Sequence, residues 1–369
     1  MEPVRLRALL ARTPGLLARH VFACLGEDPA AGATLPGDLA ARLLKRPLPA
    51  LGRAWLERPD DHLIDTDLRW IEDNAGQILC CADTAFPARL ARCDAAPAGL
   101  YVSGNARALQ TAQLAIIGSR QATPAGVRNA HGFAHHLARG GLAITSALEV
   151  GIDAAAHEGA LDAGGASIAV CAAGLDRVYP ACHAGLAARI RPHGALVSVF
   201  APGTPPRRHH FPIRSRLLGA LSAGVLVVET AAGDGALTSI AAARRLKRPV
   251  FAIPGSIRDP AAAGCNQLIR AGARLVTQPG EILRELGFSD ENQSLGQPTP
   301  PFALPGAQPS LLDNKYEMLL DAAGFEPVDI DVLAFRTGWS GHDVASMLLL
   351  LELQGRIAPQ PGGRYCRLS

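Results

Sequence analysis

The chain has 369 residues, 48% hydrophobic, 19% charged and 5% aromatic, which is enough apolar material for more than one core and rules out a disordered tail. Its 36 basic and 33 acidic side chains leave a formal net charge of +3, which excludes a histone-like or polybasic protein, so any site for an anion must arise from local clustering. No apolar run approaches the roughly 20 residues that cross a bilayer, and Arg5, Arg7 and Arg12 interrupt the N-terminus before a signal-peptide core forms; a soluble, cytoplasmic protein with no membrane partner is expected.

In chain order, residues 5–68 carry leucines at helical spacing, among them Leu9, Leu16, Leu39 and Leu43, broken by Pro14, Pro29, Pro36, Pro47 and Pro49. This predicts a small helical domain. From residue 77 to about 286, short apolar runs alternate with Ala-rich helical stretches, with strands expected at 114–117, 142–145, 167–171, 195–199, 224–228, 249–253 and 274–276. Strands this uniformly apolar are buried on both faces, so the block reads as α/β, a doubly wound parallel sheet. Residues 289–310, with five prolines and no periodicity, read as a linker. Beyond it, three helices at 311–323, 329–337 and 340–354 and a hairpin around Pro361-Gly362-Gly363 make the parts of a winged helix.

The eight cysteines form no C-x-x-C pair and read as ordinary thiols of a reducing compartment. His131 and His135 stand four apart on an expected helix without a third ligand, so neither a metal nor a cofactor is expected. The first central strand runs into Gly118-Ser119-Arg120, with a helix expected from Pro124. Backbone N–H groups at a helix start, with a guanidinium beside them, suit a phosphate. A plain tight turn accounts for the same residues equally well, and neither G-x-G-x-x-G nor G-K-[ST] is present. The next strand ends at Ser146, whose hydroxyl can join the same anion site. Asp153 and His157 stand as an acid/base pair would, although a first-turn acid is the favoured reading of Asp153.

Residues 207–216 hold four arginines, two histidines and a phenylalanine without a carboxylate, offering charge for a nucleic-acid backbone and a flat face for a base. A solvated charge run is the plain alternative, and Pro205, Pro206 and Pro212 favour a defined loop over a helix face. Glu229 ends a later strand as a candidate for catalysis or for ordering the arginines, and Gly233-Asp234-Gly235 opens a second glycine-rich helix entry.

These residues, Ala115 to Arg120, Gly151 to His157, Gly174-Leu175-Asp176, Tyr179-Pro180, Phe211 to Arg216, Glu229, Gly235 and Ala252 to Ser256, resemble the family of DNA-processing protein A, also called Smf. Trp70, Phe86-Pro87 and Leu100-Tyr101-Val102 resemble its lead-in, and the match in order and spacing extends over about 68–286. The resemblance implies a Rossmann-like core that binds and protects single-stranded DNA, forms a homodimer and loads the RecA recombinase during natural transformation. Single-strand-binding protein would be a further partner, and no turnover is implied. By position, Gly118, Ser119, Arg120 and Ser146 with Gly235 would meet phosphate, Arg208, Arg214 and Arg216 would neutralise other phosphates, and Phe211 would contact a base. The implied division is 1–67, helical, of SAM or helix-hairpin-helix type; 68–287, the Rossmann-like core; 288–310, linker; and 311–369, winged helix.

Three departures stand out. Where the family has Ala-Arg before Gly-Ile-Asp, this chain has Glu149-Val150; the family's Arg-Asn-Arg is Arg214-Ser215-Arg216 here; and Asp234 replaces a serine. Weakened or altered DNA binding is therefore expected. Residues 311–355 hold eight acids against Lys315 and Arg336, and 340–354, the recognition-helix position, has neither lysine nor arginine, so this module is expected to be a protein-contact or regulatory element in which only Arg356, Arg364 and Arg367 of the hairpin can touch DNA. The competing function is a nucleotide-processing enzyme of the phosphoribohydrolase kind using Glu229 or Asp153, although its P-G-G-x-G-T loop is absent; a scaffold without a ligand is a third reading.

Overall fold

Apolar residues at helical spacing give the first helix its buried face: α1 (Pro3–Arg12) begins on a proline and buries Leu6, Leu9 and Leu10. α2 (Ala18–Leu25), α3 (Leu39–Leu44), α4 (Ala50–Glu57) and α5 (Asp61–Asn74) complete the helical segment. The computed structural model describes residues 2–26, 35–231, 237–288 and 314–368. The chain divides into two compact units, 1–291 and 292–369. α5 runs past residue 67, where the separate helical domain is expected to end, and Leu6, Leu9, Ile64 and Trp70 share one hydrophobic core with Leu100, Tyr101 and Val102.

A buried polar cluster reinforces that junction. Arg12 forks onto both carboxylate oxygens of Asp67 at 2.7 Å, and the Tyr101 hydroxyl donates to Asp67 Oδ2 at 2.9 Å. Burial raises the Asp67 pKa against the pull of Arg12 and Tyr101.

The sheet follows in chain order: β1 (Gly76–Cys80), α6 (Ala88–Ala91), β2 (Gly99–Gly104), β3 (Gln113–Ile117), α7 (Pro124–Arg139), β4 (Ala143–Ala147), α8 (Ile152–Asp162), β5 (Ser167–Val170), α9 (Ala184–His193) and β6 (Ala195–Ser198). α10 (His210–Leu221), β7 (Gly224–Val227), α11 (Leu237–Arg245), β8 (Val250–Ala252), α12 (Ala263–Arg270), β9 (Arg274–Leu275) and α13 (Pro279–Glu285) complete it. The nine strands lie in the order β1-β2-β6-β5-β4-β3-β7-β8-β9; β3 to β9 pair in parallel, while β2 pairs antiparallel with both β1 and β6. The doubly wound architecture read from the apolar runs is present, with the antiparallel pair β1 and β2 added at one edge.

Alternation along β3 sends side chains to opposite faces. Leu114 and Ile116 pack with Ala130, Leu137 and Ile152 of α7 and α8, while Ala115 and Ile117 join Leu217, Leu218 and Ile240 of α10 and α11 in another core. The strand order grows from β3 toward β6 on one side and from β7 toward β9 on the other, so it reverses at β3.

The second unit contains α14 (Asn314–Ala323), β10 (Val328–Asp329), α15 (Ile330–Thr337), α16 (Gly341–Leu353), β11 (Ile357–Gln360) and β12 (Arg364–Arg367), its strands ordered β10-β12-β11. This is the winged helix expected from the three helices and hairpin. α16 buries Val344, Leu348 and Leu351 against Leu319, Leu320 and Leu333, and exposes Leu349, Leu350 and Leu353. No described helix is long and apolar enough to cross a membrane.

Truncating one partner of a buried ion pair strands the other charge, at a cost of about 3–5 kcal/mol. Asp67→Ala, which leaves Arg12 unpaired, is expected to lower unfolding stability by that amount in a urea titration. A loss below about 1 kcal/mol would mean that the junction rests on apolar packing alone.

Candidate functional site

A cavity of about 530 Å³ opens at the carboxyl ends of β3, β4 and β7, where the strand order reverses. It is lined by Gly118, Ser119, Arg120, Glu149, Asp153, Phe211 and Arg214, with Thr238 and Ser239 from the start of α11.

The turn after β3 is shaped by glycines. A β-carbon on Gly118 would lie 2.6 Å from both the Glu229 carbonyl oxygen and Ile152 Cγ1, and Gly151, at φ 84°, passes close under the Ser119 carbonyl. Several of the amides expected to face a phosphate are engaged within the protein. Ser119 N–H donates to the Glu229 carbonyl at 2.7 Å, Gln121 N–H to Ser119 Oγ at 3.0 Å, and Thr123 N–H to the Glu229 carboxylate at 3.1 Å. Thr123 also donates its hydroxyl to Glu229 Oε2 at 2.9 Å and accepts from Gly126 N–H as the cap of α7, whose next residue, Pro124, has no N–H. Glu229 fits because position 126 is glycine; a β-carbon there would collide with its carboxylate. Burial pushes the Glu229 carboxyl above its ordinary value, with the Thr123 bonds opposing. Glu229 therefore caps the turn inside the protein and does not order the arginines, as one sequence reading had it.

The arginines do converge. Arg120, from the turn after β3, and Arg214, from α10, both lie over the Phe211 ring, their guanidinium carbons 5.7 and 5.1 Å from its centroid, and Tyr179 meets the same ring edge-on. Glu149 joins them: its carboxylate accepts from Arg120 Nη2 at 2.6 Å and Nε at 2.9 Å, and lies 3.1 Å from Arg214 Nη1. Arg214 is 8% exposed, and its Nε is buried without a hydrogen-bond partner. Burial disfavours the Glu149 carboxylate, but Arg214 and Arg120 outweigh it and hold its pKa below the usual value. Asp153, buried in the first turn of α8, goes the other way: burial pushes it up to about 8 despite Arg214, so it is largely protonated at neutral pH. The cluster then carries two positive charges against one negative.

Other candidates lie elsewhere. Ser146, expected to add a hydroxyl to the anion site, is fully buried and donates to the Ile116 carbonyl at 2.6 Å; it supports the cavity floor. His157 is buried too, its Nδ1 2.7 Å from Ser167 Oγ and its Nε2 2.9 Å from the Ala147 carbonyl, and burial lowers its pKa to about 4; it is a core histidine, not the base of an Asp153 pair. Residues 210–216 are helical, not a loop, because Pro212 falls in the first turn of α10 where no N–H is required. Arg208 and Arg216 are exposed and do not line the cavity, and Arg216 Nε donates to the Pro212 carbonyl at 3.1 Å. Asp234 and Gly235 lie outside the described residues. Sequence reasoning marked Glu149 as a departure but not as the bridge between two arginines, and it missed Thr123 and the fit between Gly126 and Glu229.

The state of Asp153 is testable through folding. Its folded-state pKa of about 8 lies above its ordinary value of 3.8, so between these the folded chain keeps a proton that the unfolded chain has released, and the associated stability, fully present below about 4, is lost progressively as pH rises to about 8. Wild-type stability in urea is expected to fall between about pH 5 and about pH 8 and to level off above that, and Asp153→Asn to remove much of that fall. Parallel curves for the two proteins would mean that the carboxyl is already ionised at the lower pH.

Comparison with known proteins completes the picture. Residues 77–287 match the family model described as DNA recombination-mediator protein A, and residues 301–363 match the DprA winged helix domain. The protein Smf of Escherichia coli K12 is 40% identical over 322 residues, covering 85% of this chain and 79% of its own. The X-ray structure of DNA processing protein A from Streptococcus pneumoniae superposes with a TM-score of 0.65 at 31% identity, covering 77% of this chain and 98% of that one. DNA processing protein A from Helicobacter pylori, solved for its single-stranded DNA binding mode, gives a TM-score of 0.51 at 27% identity, covering 55% and 92%. With a family model spanning more than half its length and a winged helix of the matching type behind it, the chain belongs to the DprA/Smf family of DNA-processing proteins.

Proposed function

We infer that the cavity at β3, β4 and β7 binds a single strand of DNA, and that the protein acts without turnover to protect incoming strands and load RecA onto them. The observation that carries this reading is the convergence of Arg120 and Arg214 on Phe211 at the strand-order reversal. Guanidinium groups neutralise backbone phosphate, and a partly exposed aromatic ring among them offers a base a stacking face. The Helicobacter relative, described for its single-stranded DNA binding, supports the same class of ligand. The family description, DNA recombination-mediator protein A, supports recombination mediation; with it we propose a homodimer acting in the cytoplasm with RecA and single-strand-binding protein, as the sequence resemblance implies.

The chemistry of the site also favours binding over catalysis. The phosphoribohydrolase reading needs Glu229 or Asp153 as a working carboxylate, yet Glu229 is spent on Thr123 and Asp153 is buried and largely protonated. The gripping groups are side chains from two elements rather than the amides of one turn. Ser119 and Gly118 shape that turn, while Arg208 and Arg216, exposed at the start and on the outer side of α10, would meet phosphates farther along the strand. The winged helix fits a protein-contact role: α16 presents Leu349, Leu350 and Leu353 where a duplex reader needs cations.

Three outcomes are expected in binding titrations with an oligothymidylate and the matching duplex. Phe211→Ala weakens single-strand binding about tenfold, within the 1–3 kcal/mol typical of a stacked base, and affects the duplex less. Arg120→Ala reduces the steepness of the logarithmic salt dependence by about 0.7. Removing residues 311–369 leaves single-strand affinity within about threefold of the whole chain, because no cavity residue belongs to that unit. Equal losses on single strand and duplex would mean generic charge attraction, and a large loss on truncation would assign DNA contacts to the winged helix.

A further inference from the structure

The carboxylate of Glu149 sits where a phosphate would. It takes two hydrogen bonds from Arg120, at 2.6 and 2.9 Å, and lies 3.1 Å from Arg214 Nη1, so one group spans the two guanidiniums that face the cavity. Carboxylate and phosphate make the same demand on a guanidinium, two oxygens matched to a planar fork of N–H donors, and they cannot both take the same fork. Arg214 sharpens the point: a cation 8% exposed needs a counter-charge, and Glu149 is the anion that meets it. Asp153, the neighbouring acid, is largely protonated at neutral pH and cannot serve in its place. The Glu149 side chain is itself only 14% exposed, held beside the cavity rather than swinging in solvent.

We propose that Glu149 is a built-in competitor for the phosphate position of this cavity: a DNA strand engages Arg120 and Arg214 by displacing the Glu149 carboxylate, so this residue sets how tightly, and at what ionic strength, a strand is held. The proposal rests on the single-strand reading of the cavity. It assigns Glu149 a role beyond charge compensation, since the contact that steadies Arg214 in the empty protein is the contact a strand must replace. Two consequences follow. Strand affinity is lower than the arginines alone would give, and the site presents one net positive charge rather than two, which reduces the counterions released from DNA.

The test is fluorescence anisotropy of a labelled oligothymidylate over a salt series with the full-length wild type, Glu149→Gln, Glu149→Asp and, as a control for removal of any surface carboxylate, Glu158→Gln on the exposed side of α8. Glu149→Gln is expected to bind about tenfold more tightly and to steepen the logarithmic salt dependence by about 0.7. Glu149→Asp, which keeps the charge near Arg214 but shortens its reach, is expected to fall between wild type and Glu149→Gln, and Glu158→Gln to match the wild type. Glu149→Asp also keeps the test decisive should Glu149→Gln fail to fold. If the wild type binds and the Glu149 variants bind equally or more weakly, Glu149 is a strut for the arginines and the proposal fails alone. A gain in Glu158→Gln equal to that in Glu149→Gln would reduce the effect to net charge and overturn it as well. If neither the wild type nor any variant binds, the single-strand reading falls and takes the proposal with it.

Discussion

A guanidinium taken out of water needs a counter-charge, and the cavity of this protein is organised around meeting that need for Arg214. Glu149 meets it, and because the same carboxylate also grips Arg120, the turn after β3 and the helix α10 are locked together through three side chains. Phe211 is held under both guanidiniums, Tyr179 closes on the edge of its ring, and the cavity mouth takes its shape from these contacts. Asp153, four residues from Glu149 in the sequence, is buried so far from water that its carboxyl keeps a proton at neutral pH. Of two neighbouring acids, one is thus ionised and the other neutral: burial disfavours the charge on both, and only Glu149 reaches the guanidinium forks that offset it.

The turn after β3 illustrates how a familiar-looking element can carry a different chemistry. A Gly-Ser turn before a capped helix ordinarily leaves amides for an anion to find. Here the anion is internal: the Glu229 backbone carbonyl and carboxylate take the Ser119 and Thr123 amides, and Gly126 leaves room for that carboxylate. At the positive end of α7 the Thr123 and Gly126 amides are engaged before any ligand arrives. What remains for a polyanion is full charge on side chains, which acts over longer range and yields more readily to salt than fixed amide dipoles do.

Much of the architecture is legible in the sequence, for a definite physical reason. Strands β3 to β8 are covered on both faces, so they appear as mostly apolar runs whose ends can be placed within a residue or two. β1 and β2 were not expected as strands; Gly-Gln-Ile-Leu-Cys and Gly-Leu-Tyr-Val-Ser-Gly hold three or fewer consecutive aliphatic or aromatic residues and lie antiparallel at the sheet edge, where periodicity is weak. At the site, the arginines and Phe211 are legible from composition, since charge without compensation is visible along the chain. Their pairing is not: Glu149 meets Arg120 across 29 residues, and Thr123 meets Glu229 across 106. The reversal of Ser146 from cavity wall to buried support has the same origin, because a hydroxyl's direction depends on which carbonyl the neighbouring strand presents.

The position of β1 and β2 in the sheet sets the helical segment apart from the ligand-facing turn. α1 and α5 rest on this antiparallel edge, and β2, β6, β5 and β4 lie between β1 and β3. At about 4.8 Å per strand that is roughly 24 Å of rigid sheet between the helical segment and the ligand-facing turn. A shift confined to the amino-terminal helices therefore has that width of sheet to cross before it reaches the groups that would grip a polyanion.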